Sequence, residues 1–155
     1  MTHRIALVVM LLALAGCVVA PAHVQLDRAK VVTRGAIPKG GLDVNAYRRQ
    51  AGLSPIARSS RLDAAARRHA SDMARRGFFA HHGSDGSTHT LRIRAQGCGG
   101  GAENIAEGPY DARSVMSAWM GSAGHRRNIL LPAVTHYGLA NVGDKWVMTL
   151  SRDCP

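Results

Sequence analysis

The sequence predicts a mixed α+β domain, and two observations carry that reading. Residues 60–76 have helical periodicity with a marked start and stop, and residues 136–142 and 145–152 alternate apolar and polar side chains around Gly143-Asp144. A chain of 155 residues suits one such domain plus a leader and a tether. At that size roughly two thirds of the unfolded surface is buried on folding, so neither a metal nor a disulfide is needed merely to fold.

Residues 43–50 read as a short helix, stopped by Gly52 and Pro55. In the helix at 60–76, Ser60 is placed to cap, Asp63 sits near the N-terminus and Gly77 follows as the C-cap. Leu62, Ala66, His69, Ala70 and Met73 share one face, so His69 reads as a hydrogen-bonded core histidine before a ligand. Residues 78–86 form a Gly-rich loop crowded with His81, His82 and Asp85. Residues 88–96 make a short helix ending at Gly97, and the flexible run 97–101 leads into Glu103 and Asn104. Asp111 caps a helix through Met120, with Val115, Ala118 and Trp119 expected inward. The two alternating runs close a hairpin. Trp119 and Trp146 are expected in the core, His82 and His89 in solvent, and His136 and Tyr137 in structural roles at a strand entrance.

The N-terminal residues have a different character. His3 and Arg4 begin a basic start, and residues 5–15 are uninterruptedly apolar. That run falls short of the ~20 residues needed to cross a ~30 Å bilayer, so residues 1–16 read as an export signal. Leu14-Ala15-Gly16-Cys17 resembles the bacterial lipobox, which implies diacylglycerol on the Cys17 thiol and cleavage just before it. An ordinary secretory signal with an incidental Cys is the alternative. Val18 follows, with no Asp to signal inner-membrane retention, which points to the outer membrane if the source is Gram-negative. Residues 17–41 then read as a lipidated Cys and tether, with Pro21, Gly35, Pro38, Gly40 and Gly41 and at most a short strand at 29–33. Residues 42–155 form the domain. With Cys17 consumed by lipid, Cys98 and Cys154 remain as a disulfide candidate in an oxidising compartment.

Charge is the unusual feature of the composition. The 20 Lys+Arg against 10 Asp+Glu give +10, scattered along the chain, partly as pairs such as Arg67-Arg68 and Arg75-Arg76, and not gathered in one run. Two readings stand: a solvated basic surface, or attraction to anionic lipid and envelope phosphates. Nucleic acid is not an expected partner of an exported chain.

Three segments carry the chemistry. They are Phe78-Phe79-Ala80-His81-His82-Gly83-Ser84-Asp85-Gly86, then Ala102-Glu103-Asn104-Ile105-Ala106, then Trp119-Met120-Gly121-Ser122-Ala123-Gly124-His125-Arg126-Arg127-Asn128-Ile129-Leu130. In this order, with 47–55 and 69–74 upstream, they resemble bacterial members of the CAP superfamily of cysteine-rich secretory, venom-allergen and pathogenesis-related proteins, across about residues 42–152. The resemblance implies a three-layer α-β-α sandwich with a small antiparallel sheet. It also implies a cleft of two His and two Glu able to hold a divalent metal. Position by position, His81, Glu103 and His125 match that set, and the second Glu is replaced by Ser122, a weak metal ligand.

His81, Glu103 and His125 could hold zinc, since catalytic zinc sites use two imidazoles and a carboxylate. Without metal, Glu103 and His125 could work as an acid–base pair if within reach. Alternatively Glu103 braces the cleft through backbone N–H groups while Asn104 caps a turn. No catalytic residue is assigned, because Gly121-Ser122-Ala123-Gly124 is not a nucleophile elbow. The expected function is a monomeric binding module at the cell envelope for lipid or another envelope ligand, or secreted if unanchored. A metal- or His/Glu-dependent hydrolase and a structural envelope protein are the alternatives.

Overall fold

The computed structural model describes residues 43–154. The signal, Cys17, the tether and the strand expected at 29–33 lie outside them. The C-terminal hairpin forms the middle of the sheet: β3 (His136–Val142) pairs antiparallel with β4 (Lys145–Ser151). Asn141 holds its turn by donating to the carbonyls of Gly143 and Lys145. A third strand, β2 (Gly101–Glu107), pairs antiparallel with the other side of β4. The two-residue β1 (Ala57–Arg58) lies parallel to β3, giving the order β1-β3-β4-β2.

Helices cover both faces. Along β4, Trp146, Met148 and Leu150 pack with Val44 and Tyr47 of α1 (Val44–Gln50), Val115, Met116, Trp119 and Met120 of α4 (Ala112–Gly121), and Ile129 of α5 (Ala123–Ile129). The intervening Val147 packs on the opposite face with Ala66, Ala70 and Met73 of α2 (Ser60–Arg76). The chain is thus the three-layer α-β-α sandwich, antiparallel except at β1. All of β4 is buried, including Thr149, whose hydroxyl donates to the carbonyl of Leu62 at 3.0 Å. Alternation revealed the strand; only the second helical layer makes both of its faces interior.

Several local expectations are corrected. The long helix spans 60–76 as expected, but its N-cap is Ser59, and Ser60 is its first residue and does not cap. The Ser59 hydroxyl makes no capping bond and lies 3.2 Å from Cys154 Sγ. Asp63 instead accepts from Arg58 and from the Leu139 N–H, which ties α2 to β1 and β3. Ala118 is exposed, and Met116 takes the inward place beside Val115 and Trp119. Residues 101–107 form a strand, so Asn104 lies in a ladder and caps no turn. The end of the Trp119 segment forms α5.

Arg48 departs from the solvated-surface reading. It is 1% exposed and donates to the carbonyls of Ser54, Ile129 and Leu131, placing a cation at the carbonyl end of α5. Cys98 and Cys154 form the expected disulfide, Cα to Cα 4.5 Å, joining the segment after α3 (His89–Arg94) to the end of β4.

Gly138 marks the closest approach of sheet and helix. A Cβ there would overlap the backbone of Leu62 and Asp63, atoms that cannot swing aside. Gly138→Ala is expected to cost at least about 2 kcal/mol in denaturant unfolding, as overpacking against rigid neighbours does. Replacing both Cys98 and Cys154 by Ala is expected to lower unfolding free energy by about 2–4 kcal/mol for a separation of 56 residues.

Candidate functional site

Successive residues of β2 point to opposite faces of the sheet. Glu103 pairs in register with Thr149 and points towards α2, whereas Asn104 pairs with Met148 and points towards α5. These two adjacent side chains organise the two halves of the cleft.

The Glu103 carboxylate is fully buried and saturated with donors. Arg92 of α3 reaches both oxygens through Nη2, at 3.0 and 2.8 Å, and His81 Nδ1 lies 3.0 Å from Oε1. Burial alone would raise this carboxyl, but the hydrogen bonds from His81 and Arg92 and the charge of Arg92 prevail and hold it below the usual glutamate range. Its bracing partners are therefore side chains, and the backbone N–H groups expected in that role are not among them. Arg92 Nη2 also donates to the His81 carbonyl at 2.8 Å, and His69 Nε2 donates to the neighbouring Ala80 carbonyl at 2.8 Å. Two buried side chains thus grip consecutive carbonyls of the 78–86 loop and set His81 over Glu103. Since a carboxylate only accepts, His81 Nδ1 carries the proton, and in the neutral ring Nε2 presents a lone pair outward. The His81 side chain is 48% exposed.

His69 is the core histidine expected from its helical face, completely buried. It stands 3.8 Å from Glu103, but burial pushes its titration down and keeps the ring neutral, so this is contact without an ion pair.

On the other half, Asn104 donates to the His125 carbonyl at 3.1 Å, and Asn128 donates to Asn104 Oδ1 and to the Glu103 carbonyl. Trp119 Nε1 donates to the Ile105 carbonyl at 3.1 Å. Two carbonyls on the outer edge of β2 are therefore covered by side chains of the Trp119–Leu130 segment, which protects an edge strand and positions His125. His125 is half-buried; burial, then the charge of His81, lowers its titration. Ser122 is the joint between α4 and α5, where its N–H donates to Trp119 and its carbonyl accepts from Arg126, with no side-chain capping bond.

His81, Glu103 and His125 thus meet around the edge of β2, but Glu103 faces its partners and no open coordination position. Among the described residues no three His, Cys, Asp or Glu side chains are grouped to hold a metal ion. The arrangement does not fit a three-ligand zinc site. His89, expected in solvent, is half-buried near Glu103, Arg92 and His81, and burial lowers its titration. Sequence reasoning missed it and Arg92; the available signal was a basic residue following a capped turn (Thr88) beside a buried carboxylate. His82 is exposed, as expected, and His136 bonds Thr135 at 2.8 Å.

A family model described as the cysteine-rich secretory protein family, CAP, matches residues 43–148. The chain belongs to that family. The CAP domain is 35% identical over 106 residues to YkwD of Bacillus subtilis (strain 168), covering 66% of this chain and 41% of that protein. It spans less than half the length of that relative. Among solved structures, an extracellular protein containing an SCP domain from Bacillus anthracis str. Ames superposes with a TM-score of 0.67 at 24% identity, covering 71% of this chain and 38% of that one. An outer surface protein of Borrelia burgdorferi gives 0.65 at 19% identity, covering 71% and 86%. At these identities the superpositions establish the fold.

Acid should destabilise this CAP domain in two stages. His69, His89 and His125 all titrate lower when folded, so the unfolded chain binds more protons and stability falls as pH drops through about 6.5. Glu103 is also lowered, so its contribution is present above about pH 4.5 and lost as pH falls through its folded value. Glu103→Gln is expected to flatten the second stage and cost about 3–5 kcal/mol at pH 7, because Arg92 then stays buried without its partner. Chemical denaturation across pH 3–8 measures both.

Proposed function

We propose that the CAP domain is an exported binding module, tethered at the cell envelope through lipidated Cys17, that receives an envelope ligand at the rim formed by His81 and His125. The observation that supports binding over catalysis is the saturation of Glu103. Its carboxylate is committed to Arg92 and His81, and Ser122 has no base bonded to it that would make it a nucleophile. What remains for a ligand is the outward Nε2 of His81 and the half-buried ring of His125, on a chain of charge +10 suited to anionic lipid and envelope polymers. The descriptions of the Bacillus anthracis and Borrelia burgdorferi proteins as extracellular and outer-surface support export.

A hydrolytic reading rests on one specific observation. The Glu103–His81 bond is the orienter–base geometry of acid–base enzymes, leaving Nε2 free to take a proton from water or substrate.

Purified domain is expected to bind liposomes containing anionic lipid without its own acyl chains and to lose that binding with His81→Ala and His125→Ala. Retained binding by the double variant places the ligand elsewhere. Turnover of an ester or peptide library, abolished by His81→Ala with folding intact, would replace the binding reading by the hydrolytic one. Cys17→Ala is expected to move the full chain from the membrane to the soluble fraction, and unchanged fractionation would sink the lipid anchor.

A further inference from the structure

A cavity of about 310 Å³ lies at the end of the sheet, where the glycine run 99–101 enters β2. Its walls come from separate parts of the chain, and each is tied down. The Gly99 N–H donates to the Asp153 carbonyl at 2.8 Å, next to the Cys98–Cys154 disulfide. The Leu131 carbonyl accepts from buried Arg48. Thr135 donates through its N–H to the Ser151 carbonyl and through its hydroxyl to that of Arg152. The cavity is therefore formed before any ligand arrives, and its volume is that of a small-molecule site.

Three kinds of surface meet in it. Leu131, Ala133 and Val134 give an aliphatic side with no aromatic ring. The glycines give a side of bare main chain, which another backbone can approach closely. A side chain on Gly100 would begin 3.2 Å from the Thr90 methyl and 3.6 Å from Arg94 Nε, so the Arg94 guanidinium stands at this glycine wall. Arg152 lines the cavity as well. Both arginines are exposed, and among the described residues neither side chain has an acidic partner or a hydrogen bond. The Asp153 carboxylate lies against Gly99, 3.1 Å from where a Cβ of that glycine would be. Two cations and one acid leave a single positive charge, which matches a monoanion. They also orient it, with its negative end at the arginines and any N–H donor towards Asp153.

We propose that this cavity binds the carboxy-terminal end of a peptide whose last residue is aliphatic. The planar terminal carboxylate accepts from the guanidinium groups of Arg94 and Arg152, whose fork geometry it matches. The last side chain packs on Leu131, Ala133 and Val134, and the last amide lies along the glycine wall. The inference stands on this cavity and is independent of the rim at His81 and His125.

The test is calorimetric titration of the purified protein at constant ionic strength with acetyl-alanyl-leucine, its C-terminal amide and octanoate. Backbone ¹⁵N–¹H resonances are recorded alongside. Saturable binding of the free acid is expected, with shifts at Gly100 and Gly101. The amide should bind at least about tenfold more weakly, having lost the charge that the arginines meet. Arg94→Gln and Arg152→Gln should each weaken the acid about tenfold and leave the melting temperature of the free protein unchanged, since neither side chain is bonded to the fold. Ala133→Phe fills the aliphatic side and should abolish binding with folding intact. Octanoate has the charge and the aliphatic body without the amide, and should also bind at least about tenfold more weakly. Octanoate binding as tightly as the peptide overturns the proposal in favour of a fatty acid, and equal binding of acid and amide overturns the role of the arginines. Shifts confined to His81 and His125, or a response no greater than that of acetate, show that this cavity takes no peptide terminus.

Discussion

The buried ion pair between Glu103 and Arg92 is the constraint on which the functional half of the domain depends. A carboxylate with no solvent exposure and a guanidinium with almost none would each be prohibitively costly alone. Together they are satisfied, and their surplus hydrogen-bonding capacity organises what surrounds them. Arg92 also holds the carbonyls of Ser87 and His81, so one side chain of α3 supports β2 and the ends of the 81–87 loop. Such a pair is weak evidence of net stability, since apolar residues can do as well. Its value here is positional: it gives His81 a fixed place and a fixed tautomer.

The same strand serves the opposite layer through Asn104. The network running from Asn104 to Asn128 and the carbonyls of Glu103 and His125 means that α5 cannot shift without disturbing β2. Two histidines from distant parts of the chain are thereby brought to a common rim by neighbours in one strand. The acid that would be a ligand is instead turned inward to orient a histidine, the role carboxylates take behind metal-binding imidazoles in other proteins.

Much of the architecture was legible in the sequence because it depends on local signals. The Asp111 cap, the left-handed Gly77, the face of α2 and the Gly143-Asp144 hairpin each follow from residues within a few positions of one another. Ser59 in place of Ser60 and Met116 in place of Ala118 are small displacements, of the size that local periodicity leaves open. Glu103 and Asn104 follow the flexible glycine run 97–101, which leaves an Asn104 turn cap open as an alternative, and nothing nearby announces a strand at 101–107. That strand exists because β4 offers it a ladder and Trp119 and Asn128 cover its outer edge, all distant in the chain.

The sequence by itself determined the fold class, the family resemblance, the Cys98–Cys154 pairing candidate and the identity of the residues at His81, Glu103 and His125. Tertiary structure decided their roles. Whether a glutamate is a ligand, a base or a brace depends on which donors converge on its oxygens and how much water they exclude. Those donors come from α2, α3 and the 78–86 loop. No periodicity within β2 encodes the arginine that arrives from α3, eleven residues away, to neutralise it.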